Sequence, residues 1–313
     1  MTAAIGLVGA GAWGRLILRD AVELGAAVHV VIRESGSRDE LTALGAASVG
    51  NDAHAISGMV DGFIVATPTS THAEVIDALL GHGKPVFVEK PLTDSVADAR
   101  RLVDRAGGLL FVMDKWRYHP GVEKLRDLAV SGELGPVRAV RTRRLGWGTS
   151  HADVDPVWTL LPHDLAIVHE ILGHLPPVLG AFGTVAGRSE CDLMARLGGS
   201  GGPGAVIEVA TSQPLTERSV VVVGDKGAAQ LADSYADHLL FMPGGRRAGL
   251  RRDPERIPIS ADLPLRREVA AFLAYLSGGP PPRAPAGDGL LVVERVAEIR
   301  AMAGLPERSL PLT

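Results

Sequence analysis

The segment that most constrains this chain lies between residues 5 and 25. A short apolar run, Ile5-Gly6-Leu7-Val8, leads through Gly9-Ala10-Gly11-Ala12-Trp13-Gly14 into a stretch where Leu16, Ile17, Val22 and Leu24 recur at helical spacing, and Gly25 ends it. A G-x-G-x-x-G turn placed directly after a strand and before a helix suits few architectures. Gly9 permits the tight turn, Gly11 lets an anion approach the backbone, and Gly14 lets helix and strand pack closely. The N–H groups of Gly11, Ala12 and Trp13, at the positive end of the helix, then face a diphosphate. In a chain with 38 glycines the spacing alone says little; its position gives it weight.

The pattern repeats down the first 115 residues. Val28–Ile32, Gly62–Thr67, Pro85–Glu89 and Leu109–Met113 read as strands, separated by helical stretches that include Ser95 to Ala106. Thr71-His72-Ala73-Glu74 has capping-box spacing and opens another helix. Strands alternating with such helices predict βαβ units and a parallel sheet. After about Pro120 the pattern changes. A helix over Gly121–Ser131 precedes a long strand, Val137–Leu145, and a helical stretch over Asp164–Leu172. Strand candidates then crowd together at Val178–Val185, Cys191–Leu197, Ala205–Ala210, Val220–Val223 and Ala228–Leu231, and helices at Arg266–Leu276 and Leu290–Ala303 close the chain. The expectation is an α/β dinucleotide-binding domain over residues 1–118. An α+β domain over 119–313 follows, with a mostly antiparallel sheet and C-terminal helices returning toward the first domain. One face of that sheet is expected to be covered by the Asp164–Leu172 region and the other left apolar, in need of a partner.

Composition narrows the function classes. Lys+Arg 32 against Asp+Glu 36 gives −4, so no broad cationic face is available for nucleic acid. A single cysteine excludes an internal disulfide and a cysteine-based zinc site. Apolar runs are too short to span a bilayer, and the N-terminus lacks the basic region of a signal peptide, so the expected compartment is the cytoplasm.

The end of the second strand bears on the cofactor. It reads Ile32-Arg33-Glu34-Ser35-Gly36-Ser37-Arg38, with arginine where an aspartate would favour NAD(H). Arg33, Ser35 and Arg38 are donors suited to a ribose 2′-phosphate, which favours NADP(H). Glu34 keeps NAD(H) open, because a one-residue displacement of the strand end reverses the preference.

At the end of the fourth long apolar strand stands Val88-Glu89-Lys90-Pro91, on the edge where open α/β sheets bind ligands. Together with Gly9–Gly14, Ala66-Thr67-Pro68-Thr69-Ser70-Thr71-His72, Gly83–Pro91, Gly132-Glu133-Leu134-Gly135-Pro136-Val137 and Asp225-Lys226-Gly227-Ala228, this order of motifs resembles the glucose–fructose oxidoreductase/inositol dehydrogenase/rhizopine catabolism (Gfo/Idh/MocA) family over nearly the whole chain. The resemblance implies hydride transfer between a nicotinamide cofactor and a sugar, nucleotide-sugar or cyclitol carbon, and assembly into dimers or tetramers through the second-domain sheet. It places Lys90 between nicotinamide and substrate, where its ammonium polarises the reacting oxygen. It lines the cofactor with Ala66, Thr67, Pro68 and Glu89 and caps the ribose side with His72. His163 matches the family's second-domain histidine, a proton donor or acceptor. Trp158 and Thr159 fall in the same substrate-side segment, with Thr159 at a position the family commonly fills with Asp. That departure leaves a reductase of an imine or non-sugar carbonyl, or a catalytically silent NAD(P)-binding regulator, as alternatives.

Other clusters fit less well. His169 and His174 are five residues apart, about 140° round a helix, so they cannot face one metal, and no metal is expected. His151-Ala152-Asp153-Val154-Asp155 reads as a polar loop or a cation site, and Arg246–Arg256 as a solvated surface loop. In Trp116-Arg117-Tyr118-His119-Pro120, Arg117 and Tyr118 are either substrate contacts or a hinge and packing cluster.

Overall fold

Apolar runs bounded by glycines become short strands buried on both faces. The structure, a computed structural model, describes residues 3–33, 37–148, 153–186, 189–199, 201–244 and 253–306. These group into two compact units, one of residues 1–115 with 263–293 and one of 116–262 with 294–313. The first unit is therefore discontinuous, where the sequence pattern predicts a continuous 1–118.

In the first unit, β1 (Ala4–Val8), α1 (Ala12–Glu23), β2 (Ala27–Val31), α2 (Arg38–Ala43), β3 (Ser48–Gly50), α3 (Ala53–Ile56), β4 (Gly62–Val65), α4 (His72–Leu80), β5 (Val86–Glu89), α5 (Val96–Ala106) and β6 (Leu110–Met113) follow in order. All strand pairs are parallel, and the sheet order is β3-β2-β1-β4-β5-β6. The order reverses between β1 and β4, which opens a crevice at their carboxyl ends. Ser95 caps α5 through its hydroxyl, 3.3 Å from the N–H of Asp98. The capping box expected at Thr71 does not form. Its hydroxyl instead donates to the Pro68 carbonyl at 2.8 Å and lies 2.9 Å from the Thr67 hydroxyl.

The second unit holds α6 (Pro120–Val130), β7 (Val137–Trp147), α7 (Pro156–Leu172), β8 (Val178–Ala186), β9 (Glu190–Leu197), β10 (Gly204–Ala210), β11 (Ser212–Gly224), β12 (Gly227–Leu231), β13 (His238–Pro243) and β14 (Glu255–Pro258). Its sheet runs β14-β13-β12-β11-β7-β10-β9-β8 and is antiparallel except for β7 with β10. α7 packs on β7, β9 and β10. It begins two turns before the expected start because Asp155 caps it and Pro156 opens it, while Pro162 is carried inside the helix.

The face of this sheet away from α7 is not apolar. Arg143 bridges Glu208 and Glu217 there, at 2.8 Å each, and exposed Phe182 pairs with Met194 across β8 and β9. Alternation placed these charges: Arg141 and Arg143 fall on the exposed side of β7, where an apolar face is expected.

The last helices are α8 (Pro264–Leu276) and α9 (Ala286–Met302). α8 lies against α1 and brings Leu265, Val269, Phe272 and Leu273 into the core that contains Ile5, Ile17, Ile64 and Phe87. Phe272 and Phe87 are 4.9 Å apart between ring centroids, and burying each ring is worth about 1.5–3 kcal/mol.

Candidate functional site

In the first unit the glycine turn is a shaped cradle. Gly9 has φ +94, and a β-carbon there would lie 2.6 Å from the Ala66 carbonyl oxygen. A β-carbon at Gly14 would collide with the Gly9 carbonyl, whereas one at Gly11 would meet nothing within 4 Å. Gly11 is thus open on the side from which a ligand approaches. It is also the N-cap of α1, with no side-chain cap and no acidic residue in the first turn. Leading N–H groups of a helix left uncapped suit an anion, so the residues present fit the diphosphate of a dinucleotide.

Around this cradle stand the ends of the neighbouring strands. Ala66 and Thr67 are half-buried and Pro68 is exposed after β4; Arg33 and Arg38 are exposed after β2. Ser35 and Glu34 lie outside the described residues. Arg15, which the sequence reading passed over, points to the same region, with Nη2 3.3 Å from Ser37 Oγ and 2.9 Å from Glu40 Oε2. Its place directly after Gly14 was the signal available.

Glu89 and Lys90 follow β5. The Trp13 indole N–H donates to Glu89 Oε1, and the Lys90 backbone N–H lies 3.2 Å from Glu89 Oε2. Lys115 Nζ sits 4.4 Å above the Trp13 ring. Desolvation pushes the Glu89 carboxyl above its ordinary pKa, against the opposing pull of Lys90, Trp13 and Lys115. Glu89 therefore supports the turn and the lysine rather than facing a cofactor alone.

His72 takes a role different from the expected ribose contact. It is buried, and its ring nitrogens lie 2.9 Å from the Pro91 carbonyl oxygen and 3.0 Å from that of Thr67. With both nitrogens turned onto main-chain oxygens, the ring ties the Thr67 turn to the Lys90-Pro91 segment.

Beneath these residues is a carboxyl group that sequence reading missed. Glu268 of α8 is 1% exposed, and its Oε1 has no hydrogen-bond partner. Burial, then the charges of Glu89 and Asp114, hold its pKa well above the usual carboxylate range. A charged residue on an otherwise amphipathic helix reads as solvent-facing, so nothing local marked it.

In the second unit, His163 is half-buried on α7 with its ring 6.5 Å from that of Trp116, edge to face. The adjacent Asp164 forms a buried ion pair with Arg144, at 2.6 Å, and the Arg144 guanidinium lies 4.7 Å from the Trp116 ring centroid. Trp116 also stacks on His119 at 5.1 Å. The His119 Nδ1 accepts from the Gly121 N–H at 3.0 Å, so Nε2 carries a proton and donates to the Ser234 carbonyl at 2.9 Å.

Several expected substrate contacts are engaged in packing and ion-pair contacts. Trp158 is fully buried, with Arg300 5.8 Å from its ring. Thr159 is 2% exposed and its hydroxyl donates to the Pro156 carbonyl at 3.1 Å, one turn back in its own helix. Arg117 pairs with Glu170 at 3.0 Å, and the same carboxylate holds Arg126 at 2.6 Å. Tyr118 is buried beside them in the chain. For Arg117 and Tyr118 the packing alternative is the one the surroundings favour. His151 and the loop residues 246–252 lie outside the described residues. Among the described residues no cluster of His, Cys, Asp and Glu could hold a metal, and no helix is long and apolar enough to cross a membrane.

Residues 3–109, which contain the cradle, Lys90 and strands β1 to β5 of the parallel sheet, match the family model described as an oxidoreductase family with an NAD-binding Rossmann fold. This part of the chain is similar to the Gfo/Idh/MocA oxidoreductases. Its relatives include the rhizopine catabolism protein MocA of Rhizobium meliloti, 31% identical over 42% of this chain and 43% of that protein. Inositol 2-dehydrogenase of Klebsiella pneumoniae (strain 342) is 30% identical over 55% of each chain. The chain spans about half the length of the curated relatives it matches. A solved UDP-N-acetylglucosamine 3-dehydrogenase from Acidithiobacillus ferrooxidans shares the fold over 96% of this chain and 98% of its own, with TM-score 0.81 and 21% identity.

Proposed function

We propose that the chain is a nicotinamide-dinucleotide-dependent oxidoreductase acting on a hydroxyl or carbonyl carbon of a sugar, nucleotide sugar or cyclitol, with NADP(H) preferred over NAD(H). The observation that carries this reading is the link from the open glycine cradle, through Trp13, to Glu89 and Lys90 at the carboxyl edge of one sheet. The names of the relatives, an inositol dehydrogenase among them, support the substrate class.

The bound cofactor supplies a hydride acceptor or donor. Gly11, Ala12 and Trp13 present N–H groups to its diphosphate. Arg33 and Arg38, with Arg15 nearby, are the cations available to a 2′-phosphate. Lys90 holds its ammonium against the reacting oxygen and stabilises the charge that develops there. His163 gives or takes the proton at a ring nitrogen. Glu89 and His72 brace the strand ends that carry these groups.

The test is cofactor reduction or oxidation, followed at 340 nm, across a panel of sugars, cyclitols and their keto forms, with Lys90→Ala as the control. Turnover that is indifferent to Lys90 overturns the assignment of the site. One observation favours a second reading, a silent dinucleotide-binding regulator. Thr159, whose hydroxyl donates to the Pro156 carbonyl, supplies no carboxylate at the position the family commonly fills with Asp. Tight dinucleotide binding without turnover on any substrate would select that reading.

The assembly is proposed as a homodimer or homotetramer formed through the second unit's sheet, now with the Arg143–Glu208–Glu217 ladder and Phe182 as its contact chemistry. Sedimentation at micromolar concentration showing only a species of the chain mass, 32.8 kDa, rejects it.

A further inference from the structure

Arg144 and Arg218 stand directly opposite each other across β7 and β11. Like charges in facing positions of an antiparallel pair repel, so such a pair is kept only where something offsets it. For Arg144 the offset is visible in Asp164, at 2.6 Å, and in the face of Trp116. Arg218 feels Asp164 only at longer range and makes no ion pair of its own among the described residues. Its Nη1 donates to the main-chain oxygens of Leu145 and Glu217, and no carboxylate lies within ion-pair distance of it among the described residues.

The nearest acid in sequence is turned away. Glu217 points to the other face of the sheet, where it joins Arg143 at 2.8 Å and the Ser219 hydroxyl at 2.7 Å. Asp233 and Tyr235, from the loop after β12, act on Arg218 at longer range, but Asp233 is exposed and accepts from the Tyr235 N–H at 2.8 Å. Burial and the neighbouring Arg144 both lower the Arg218 pKa, so the cation is held where it is disfavoured. Nη1 is committed to the backbone, which leaves the Nε–Nη2 edge, a planar fork that matches a carboxylate. Through Arg144, this edge adjoins Asp164 and the Trp116 ring beside which His163 lies.

We propose that Arg218, backed by Arg144, is a carboxylate-binding site in the second unit and that the substrate is an acidic sugar, one that carries a carboxylate. The inference deepens the oxidoreductase reading and rests on it for the sugar class, while the anion site itself rests on Arg218 alone.

The test uses the full chain with D-glucuronate, D-galacturonate and D-gluconate as probes, and D-glucose and D-glucitol as their neutral counterparts. Binding is measured by calorimetry and turnover separately by cofactor absorbance. The acids are expected to bind at least tenfold more tightly than the neutral compounds. Arg218→Gln is expected to abolish that difference by raising KM for the acids at least tenfold, with kcat and the neutral sugars little changed. Arg218→Lys, which keeps the charge without the fork, is expected to restore part of it. Because a repulsion is relieved, the melting temperature of Arg218→Gln is expected to be equal to or above that of the parent. Equal affinity for acids and neutral sugars overturns the proposal, as does a variant that melts markedly lower with unchanged discrimination, which would mark Arg218 as a structural brace. Arg218-dependent binding of the acids without turnover would keep the anion site and remove the dehydrogenase reading. Lys90-dependent turnover of neutral sugars alone would do the reverse.

Discussion

The indole N–H of Trp13 donates to the carboxylate of Glu89, 76 residues away, so the glycine turn and the lysine-bearing strand end share one contact. That carboxylate also receives the Lys90 N–H, and Lys115 sits over the indole. Trp13→Phe keeps a ring for Lys115 and removes the donor together with part of the indole's bulk. The expected cost is about 1–3 kcal/mol, the usual penalty for stranding a desolvated acceptor, read as a lower urea midpoint. An unchanged midpoint would mean that the hydrogen bond carries no stability.

Glu268 links the fold to pH. In an unfolded chain its carboxyl titrates near 4.5, and in the fold it is held well above that by burial and by the charges of Glu89 and Asp114. Lys115 opposes the shift. Between the two values folding takes up a proton. The stability that neutral Glu268 confers is therefore whole in acid and declines as pH rises toward the folded value. Glu268→Gln removes this slope. Melting curves of parent and variant are expected to coincide near pH 5 and to separate by several degrees at pH 8, with the variant higher. A constant difference across that range refutes the assignment.

Lys90 and His163 are expected to separate kinetically. Lys90→Ala should depress turnover about two to four decades with dinucleotide affinity largely retained. His163→Ala is expected to lose less, because water or Lys90 can carry protons in its place. Thr159→Val, at a buried position with its hydroxyl bonded to its own helix, should leave turnover within a few-fold.

Cofactor preference is read from affinity. NADPH is expected to bind at least tenfold more tightly than NADH, about 1.4 kcal/mol, and Arg33→Ala is expected to erase most of the difference. Fluorescence titration giving equal affinities would leave Arg33 and Arg38 without a role in selection.

The single cysteine offers a check on packing. Burial, reinforced by the charges of Asp155 and Asp192, pushes the Cys191 thiol up to about 12. Ellman's reagent at pH 8 is expected to find no thiol in the native protein and one after unfolding; fast native labelling would place Cys191 at an exposed edge instead.

Five strands of the parallel sheet were legible as apolar runs punctuated by glycine, and the glycine turn and Glu89–Lys90 end came with them; β3, Ser48–Gly50, is too short and polar to stand out. The second unit was less so. The first half of β11 contains Pro214, Glu217 and Arg218, which break the apolar pattern, and β13 and β14 are too short and mixed to stand out. Pro162 hid the first turns of α7. Among site residues, His72 was misread because sequence cannot show that both ring nitrogens face carbonyl oxygens. Arg144 was readable in principle. The alternation of β7 puts it on the same face as Val140 and Thr142, and an arginine on a covered face needs an acid such as Asp164. Glu268 and Arg218 depend on elements far apart in the chain, so no local pattern could bring them together.

α8 completes the first unit's core from the far end of the polypeptide. During synthesis, residues 1–115 emerge long before Leu265, Val269 and Phe272 exist to cover Phe87 and Ile64. The nascent parallel-sheet half must wait, with apolar surface uncovered, while the whole second unit is translated. A gene fragment cut after residue 115 would encode a parallel sheet lacking one of its walls. An excised version of this half needs α8 rejoined by a linker, or a circular permutant that brings the two segments into one.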